Sequence, residues 1–298
     1  MKRLLIAALL LSSPALAQRL RPADVDKLPS SAPVLTEAYG SEPAQVGDLR
    51  LPAGTGPHPV VVVIHGGCWW KGFASRQNTA ALASRLTELG FATWNIEYRQ
   101  MGSAGKGDAG AGWPGSFRDW AAATDHLRQL AKRHPLDLTR VAVTGHSAGA
   151  HAALWVASRL KLPKDSEIAS PDPLKIGAVV AIDGPSDPGR EIENFETGCG
   201  VPAVRTLFGG LPADQPKRYA EGSPQAQLPL GFKSGVISAS RFLTADAANR
   251  WVTAAQTGKD AASALVLGGT GHFDVIAPGS PVWGQVEAFL IAQLKVDK

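Results

Sequence analysis

The sequence predicts an α/β fold, with a mostly parallel sheet covered by helices on both faces. Three observations carry this reading. Val60-Val61-Val62-Val63-Ile64 is an unbroken β-branched run, the pattern of a strand buried on both sides. Strand-like and helix-like segments alternate along most of the chain, which favours parallel pairing with crossover helices. Residues 140–160 pass from an apolar strand through a glycine-bounded turn into a helical pattern.

That last stretch contains Gly145-His146-Ser147-Ala148-Gly149, a G-x-S-x-G between strand and helix. The turn is tight enough to strain the serine backbone, and side chains two residues either side would strike neighbouring main chain. Glycines at 145 and 149 remove both obstacles. Ser147 Oγ then stands clear of the sheet at a helix N-terminus, where the dipole and free N–H groups favour negative charge.

The 298 residues suffice for one large α/β domain, and 44% hydrophobic content suits a packed core. Met1-Lys2-Arg3, the apolar run Leu4 to Leu11 and the Ala15-Leu16-Ala17 site read as a signal peptide over residues 1–17. That implies a periplasmic or secreted protein. Removing this segment takes away Lys2 and Arg3, so the net charge falls from +4 to +2, with 28 basic and 26 acidic residues left. No basic run or reader motif points to nucleic acid. No other apolar run is long enough for a membrane anchor. Cys68 and Cys199 either pair in an oxidising compartment or stay as buried thiols, because sequence does not set the distance a disulfide demands.

Residues 18–40 are Pro-rich and read as an N-terminal arm, ahead of a domain over 41–298. Strands are expected over Val46–Leu51, Val60–Ile64, Phe91–Tyr98, Arg140–Val143, Lys175–Ile182, Gly235–Ser240 and Ala264–Leu267. Helices are expected over Thr79–Leu89, Ser116–Arg133, Ala150 to about Leu160, Thr244–Gln256 and Pro281–Lys295, with Ser116 and Thr244 as N-caps. Gly105, Gly107 and Gly110 match G-x-G-x-x-G formally. The stretch leads to Trp113-Pro114 rather than into a helix, so it reads as a loop near the site entrance and not a dinucleotide site. Residues 184–230 are rich in Pro, Gly and charge and read as a cap insertion.

A serine hydroxyl needs a base that takes its proton and returns it to the leaving group. His272, in the loop after the last strand, is the candidate. His146 reads as packing, and His65 as a brace for the loop at 65–68. No cysteine–histidine spacing resembles a zinc site, and no cofactor is implied. An alkoxide formed at Ser147 needs pre-set N–H donors. Ala148, Gly67 and Cys68 are the candidates for this oxyanion hole.

His-Gly-Gly-x-Trp at 65–69, Gly-His-Ser-Ala-Gly at 145–149 and Gly-His-Phe-Asp at 271–274 resemble the α/β-hydrolase superfamily. Residues 94–99, Trp113-Pro114-Gly115, Ser223-Pro224 and 228–231 resemble more closely its carboxylesterase-like branch, which holds kynurenine formamidases and bifunctional feruloyl/acetyl-xylan-esterase-like proteins. The resemblance implies a serine hydrolase that cleaves small acyl or aryl esters through an acyl-enzyme on Ser147. An arylformamidase with the same machinery and a hydrolase-fold binding protein are the alternatives. The aromatic residues Trp69, Trp70, Phe73 and Trp113 are expected near the mouth. The family usually carries its acid just after the penultimate strand. Here Ser238-Ala239-Ser240-Arg241-Phe242-Leu243-Thr244 has no carboxylate, so Asp246 is the first candidate, with Asp183 and Asp187 as alternatives.

Overall fold

The computed structural model describes residues 19–103 and 106–296. The segment read as a signal peptide, and Gly105 of the glycine-rich match, lie outside the described residues. Eight strands form one sheet in the order β1-β2-β4-β3-β5-β6-β7-β8. They span Leu35–Ala38, Val46–Arg50, His58–Ile64, Ala92–Ile96, Leu136–His146, Ala178–Ile182, Lys233–Ser238 and Ala262–Val266. The pairs β1–β2 and β2–β4 are antiparallel, and every other pair is parallel. Among the described residues ten α-helices accompany them: α1 Pro22–Val25, α2 Ala80–Glu88, α3 Gly115–Asp125, α4 Leu127–Leu130 and α5 Ala148–Ser158, then α6 Ile192–Cys199, α7 Ala203–Phe208, α8 Pro216–Gly222, α9 Ala245–Thr257 and α10 Trp283–Leu294. None is long and apolar enough to cross a membrane.

Strand β3 shows why its sequence looks as it does. Val60, Val62 and Ile64 enter the core under α3, α5 and α9, while Val61 and Val63 enter the opposite core under α2 and α10. All five are fully buried, each stabilising the fold by about 1.5–3 kcal/mol in transfer terms. A strand with one wet face would alternate instead.

Several boundaries shift from expectation. Strand β5 runs from Leu136, because its first residues pair with His58 and Pro59 before a register shift. The arm contributes α1 and the edge strand β1, whose four residues bury too little for a sequence signal. Ser116 is not an N-cap: it sits inside the first turn of α3, where Oγ accepts from the Gly112 amide (2.9 Å) and donates to the Arg99 carbonyl (2.8 Å). Pro114 takes the cap position. Thr244 does cap α9, accepting from the Ala247 amide at 3.2 Å. Residues 184–230, read from sequence as a cap insertion, carry the helices α6, α7 and α8. Residues 106–112 form a loop in which Asp108 pairs with Lys71 and accepts from the Gln100 amide.

Two imidazoles are buried beside the central helix. His151 Nε2 donates to the Gly222 carbonyl (2.8 Å), and His146 Nε2 donates to the His272 carbonyl (2.8 Å). Among the described residues neither Nδ1 has a partner, as suits a neutral ring. Burial pushes His146 down to about 3 and His151 down to about 4. Burial, helped by Asp187, pushes the Glu191 carboxyl up to about 7. These shifts fix the acid response. An unfolded histidine protonates near 6.5 and an unfolded glutamate near 4.3. Between about pH 6.5 and 5.5, above the range where the carboxylates held low in the fold begin to count, the unfolded chain therefore holds two protons more on the histidines and the folded chain one more on Glu191. Stability falls as pH falls through that window, by about 1.4 kcal/mol per pH unit for the one net proton. Urea unfolding followed from about pH 6.5 to about pH 5.5 checks this. The slope should flatten in His151→Gln and roughly double in Glu191→Gln; a wild-type midpoint constant over that range contradicts the account.

Candidate active site

The site begins with main-chain geometry. Ser147 sits at φ 57°, ψ −122°, between β5 and α5. For a residue with a Cβ this costs about 1–3 kcal/mol and persists only where the surroundings over-determine it. They do so here. The Ser147 amide donates to the Ile182 carbonyl (2.8 Å), and its carbonyl accepts from the Ala150 amide (2.9 Å). A Cβ on Gly145 would run into the Gly149 carbonyl, and one on Gly149 into the carbonyls of Ile64 and His65. A Cβ on Gly184 would strike the Ser147 carbonyl. The two motif glycines are therefore steric requirements of the turn.

Facing the serine, the loop after β3 has three successive left-handed residues: Gly67 (φ 91°), Cys68 (φ 55°) and Trp69 (φ 54°). Among the described residues, no hydrogen-bond acceptor takes the amides of Gly67, Cys68 or Ala148. His65 braces the loop as its position suggests, with Nδ1 2.9 Å from the Gly66 carbonyl and Nε2 2.6 Å from Glu97 Oε1. Burial would raise Glu97, but the charge and hydrogen bond of His65 outweigh it and hold the carboxyl below the usual range.

His272 lies in the loop after β8, with its Nδ1 2.7 Å from Asp183 Oδ2. Asp183 follows the last residue of β6 at φ 47°, and its amide donates to the Ile237 carbonyl. Its Oδ1 accepts from the amides of Ala239 (2.9 Å) and Ser240 (3.0 Å), and its Oδ2 from Ser240 Oγ (2.5 Å) as well as His272. Burial alone would raise the Asp183 carboxyl; the hydrogen bond and charge of His272, with Ser240 and Ala239, outweigh burial and hold it below its ordinary value. The imidazole is gripped on both faces, by Phe242 (rings 4.1 Å apart) and by His146 (4.3 Å).

The expectation for Asp246 is corrected. Strand β7 ends at Ser238, and the short turn that follows points its amides at Asp183. The chain then enters α9 directly, so Asp246 falls in the first turn of that helix. There it lines a polar groove with Arg190, Glu191, Arg241 and Arg250. Asp187 instead accepts from the Arg190 amide (3.4 Å). Ser240 was missed, and no sequence signal marks a serine as the hydrogen-bond donor to an acid on another strand.

Ser147, His272, Gly67 and Cys68 line one cavity of about 290 Å³, with Phe73, Phe242 and Phe273 as its apolar walls. Cys68 and Cys199 are disulfide-bonded, with Cα atoms 6.0 Å apart, and both face this cavity. Of the aromatic residues expected at the mouth, Phe73 alone is among its lining residues. Trp69 is fully buried with Nε1 donating to the Ala148 carbonyl (3.1 Å), Trp70 bridges to Met101, and Trp113 packs on Phe117 and Phe208.

Comparisons with known proteins follow the same lines. The BD-FAE family model matches residues 48–228. Esterase LipC of Mycobacterium tuberculosis is 30% identical over 152 residues, which take in 50% of this chain and 36% of that protein. The chain thus spans about a third of the length of this curated relative. Among solved structures, a truncated carbohydrate esterase from gut microbiota superposes with a TM-score of 0.71 at 19% identity, covering 88% of this chain and 96% of that one. Esterase B from Lactobacillus rhamnosis gives 0.71 at 18% identity, covering 89% and 86%. A bacterial heroin esterase gives 0.65 at 19% identity, covering 87% and 81%. At these identities the likeness shows the shared fold. The sheet order and the match over 48–228 lead to one conclusion: the chain belongs to the BD-FAE family, with the α/β-hydrolase fold of the carboxylesterase-like branch.

Proposed function

We propose that the protein is an exported serine esterase acting on small acyl or aryl esters, with Ser147 as nucleophile, His272 as general base and Asp183 as the acid that orients it. The observation that carries this reading is the 2.7 Å contact between His272 Nδ1 and Asp183, in a cavity that also holds the strained Ser147. With Nδ1–H held by the carboxylate, Nε2 is left to accept the serine proton. Ser147 Oγ attacks the ester carbonyl, and the proton passes to His272 and then to the departing alcohol. Water deprotonated by His272 releases the acid from the acyl-enzyme. The amides of Gly67, Cys68 and Ala148 are aimed at the alkoxide, where each such donor contributes about 2.7–4 kcal/mol to lowering the barrier.

The cavity volume suits an acetyl to butyryl group or a single aromatic ring, and its phenylalanine walls favour apolar over charged acyl groups. A disulfide fits an oxidising compartment, as export requires. The binding-protein alternative drew its appeal from a missing acid, and Asp183 supplies one. Nothing in the cavity favours a formamide over an ester.

Hydrolysis of p-nitrophenyl acetate and butyrate by the full chain tests the reading. Ser147→Ala should abolish both turnover and labelling by a fluorophosphonate, and labelling that survives the substitution would sink the proposal. Asp183→Asn should lower kcat by up to about 10⁴-fold through the wrong imidazole tautomer, while Asp246→Asn should stay within about twofold, since it lies outside the cavity. The reverse ranking would return the acid role to Asp246.

A further inference from the structure

Amides that serve an oxyanion must be held in place, and the loop carrying Gly67 and Cys68 is held by several contacts. Gly67 and Trp69 are tied down by ordinary means. The Gly67 carbonyl accepts from the Trp70 amide (2.8 Å), and the Trp69 carbonyl accepts from the Met101 amide (2.8 Å). Trp69 Nε1 donates to the Ala148 carbonyl, and its ring packs on Phe195 (5.0 Å). Cys68 is different. Among the described residues no hydrogen bond reaches its amide or its carbonyl. A left-handed non-glycine residue needs its surroundings to hold it, and the tether Cys68 has is covalent, through its sulfur to Cys199.

The other end of that tether is rigid. Cys199 is the last residue of α6, and Gly200 closes the helix in the left-handed conformation (φ 67°), donating to the Glu196 carbonyl. Glu196 is held by the Arg205 guanidinium at 2.9 and 2.6 Å and by the Arg205 amide at 2.9 Å, which pins α6 to α7. Phe195, one turn earlier, is fully buried against Trp69 and Phe242. The cap helix thus reaches into the cavity beside Ser147 and fastens the one unsupported residue of the amide loop.

We propose that Cys199 is a positioning residue. Through the disulfide, α6 holds the Cys68 amide where it receives the oxyanion, so the cap acts on the chemical step as well as closing the cavity. This rests on the serine-esterase reading. A bridge that served stability alone would lower the melting temperature and leave kcat unchanged below it. A positioning bridge lowers kcat in a protein that is still folded, because the lost contact belongs to the transition state rather than to ground-state binding.

The test uses the full chain, as Cys199→Ala, as Cys68→Ala with Cys199→Ala, and as wild type reduced by a dithiol. In the last case two electrons and two protons pass to the protein sulfurs, and the dithiol closes to its own disulfide. Folding is followed by circular dichroism and by cooperative melting above the assay temperature. The proposal expects kcat for p-nitrophenyl butyrate to fall at least about tenfold with KM changed less than about threefold. Phosphonylation of Ser147 should slow in parallel. A folded, unbridged protein with kcat within about twofold of wild type overturns it. If the cysteine variants do not fold, the reduced wild type, assayed where its dichroism is native, decides by the same criteria. A wild type that neither hydrolyses the ester nor labels at Ser147 overturns the esterase reading itself, and this inference with it, before any variant is made.

Discussion

The hydrogen bond from the Ser147 amide to the Ile182 carbonyl is the constraint on which the rest of the site depends. It continues the parallel ladder between β5 and β6 one step past their ends, where His146 is already in register with Ile182. The next residue on each strand is then Ser147 on one side and Asp183 on the other. A parallel sheet gathers its carboxyl ends on one edge, so side chains from different strands meet there without any long excursion of the chain. Both residues leave their strands with positive φ. The strain is borne by a core in which both faces of the sheet are fully covered.

Much of this was legible in the sequence, for identifiable reasons. The β-branched run of β3 and the glycines of the elbow record steric demands that few other residues satisfy. The place of His272 in the loop after the last strand was legible from the order of the elements. That Asp183, one of the alternatives, would be the carboxylate beside His272 was not legible, because sequence order alone does not say how far the turn after β7 extends. With only Ala239 to Leu243 between the end of β7 and the Thr244 cap, the segment is too short to bring Asp246 back to the imidazole. Its amides instead point at a carboxylate on the neighbouring strand. The pairing of Cys68 with Cys199 was equally closed to sequence reasoning. It depends on where a cap helix built from residues of weak periodicity comes to rest.

The role proposed for Asp183 bears on what such chemistry would require of a fold. The imidazole needs a carboxylate at Nδ1 and is indifferent to the strand that carries it. What the carboxylate needs is enough donors to remain ionised when fully buried, and four donors meet Asp183. Three come from the turn after β7, where the family usually places the acid itself. That turn now supplies amides and a hydroxyl instead of a carboxylate, so the same three segments still build the same charge relationship. Ser240 is the member of the set with most leverage, because its hydroxyl donates to the same Oδ2 that receives His272 and its Oγ also accepts from the Phe242 amide (3.3 Å).

Phe242 then carries that arrangement outward. Its ring stacks on His272, packs on Phe195 of the cap and forms part of the cavity wall. Phe195 in turn meets Trp69, whose indole is bonded to the elbow at Ala148. The contacts therefore form a closed circuit from acid to imidazole, cap, amide loop, nucleophile turn and back through the β5–β6 ladder to the acid. Its links are ring packing, side-chain and main-chain hydrogen bonds and strand pairing, on residues that are buried or half-buried and have little rotamer freedom to absorb a displacement. A circuit of this kind explains how residues of α6 can share in the precision of a candidate site that lies at the strand ends. Moving α6 without disturbing the imidazole or the amide loop would require breaking packing at Phe195 on two sides at once.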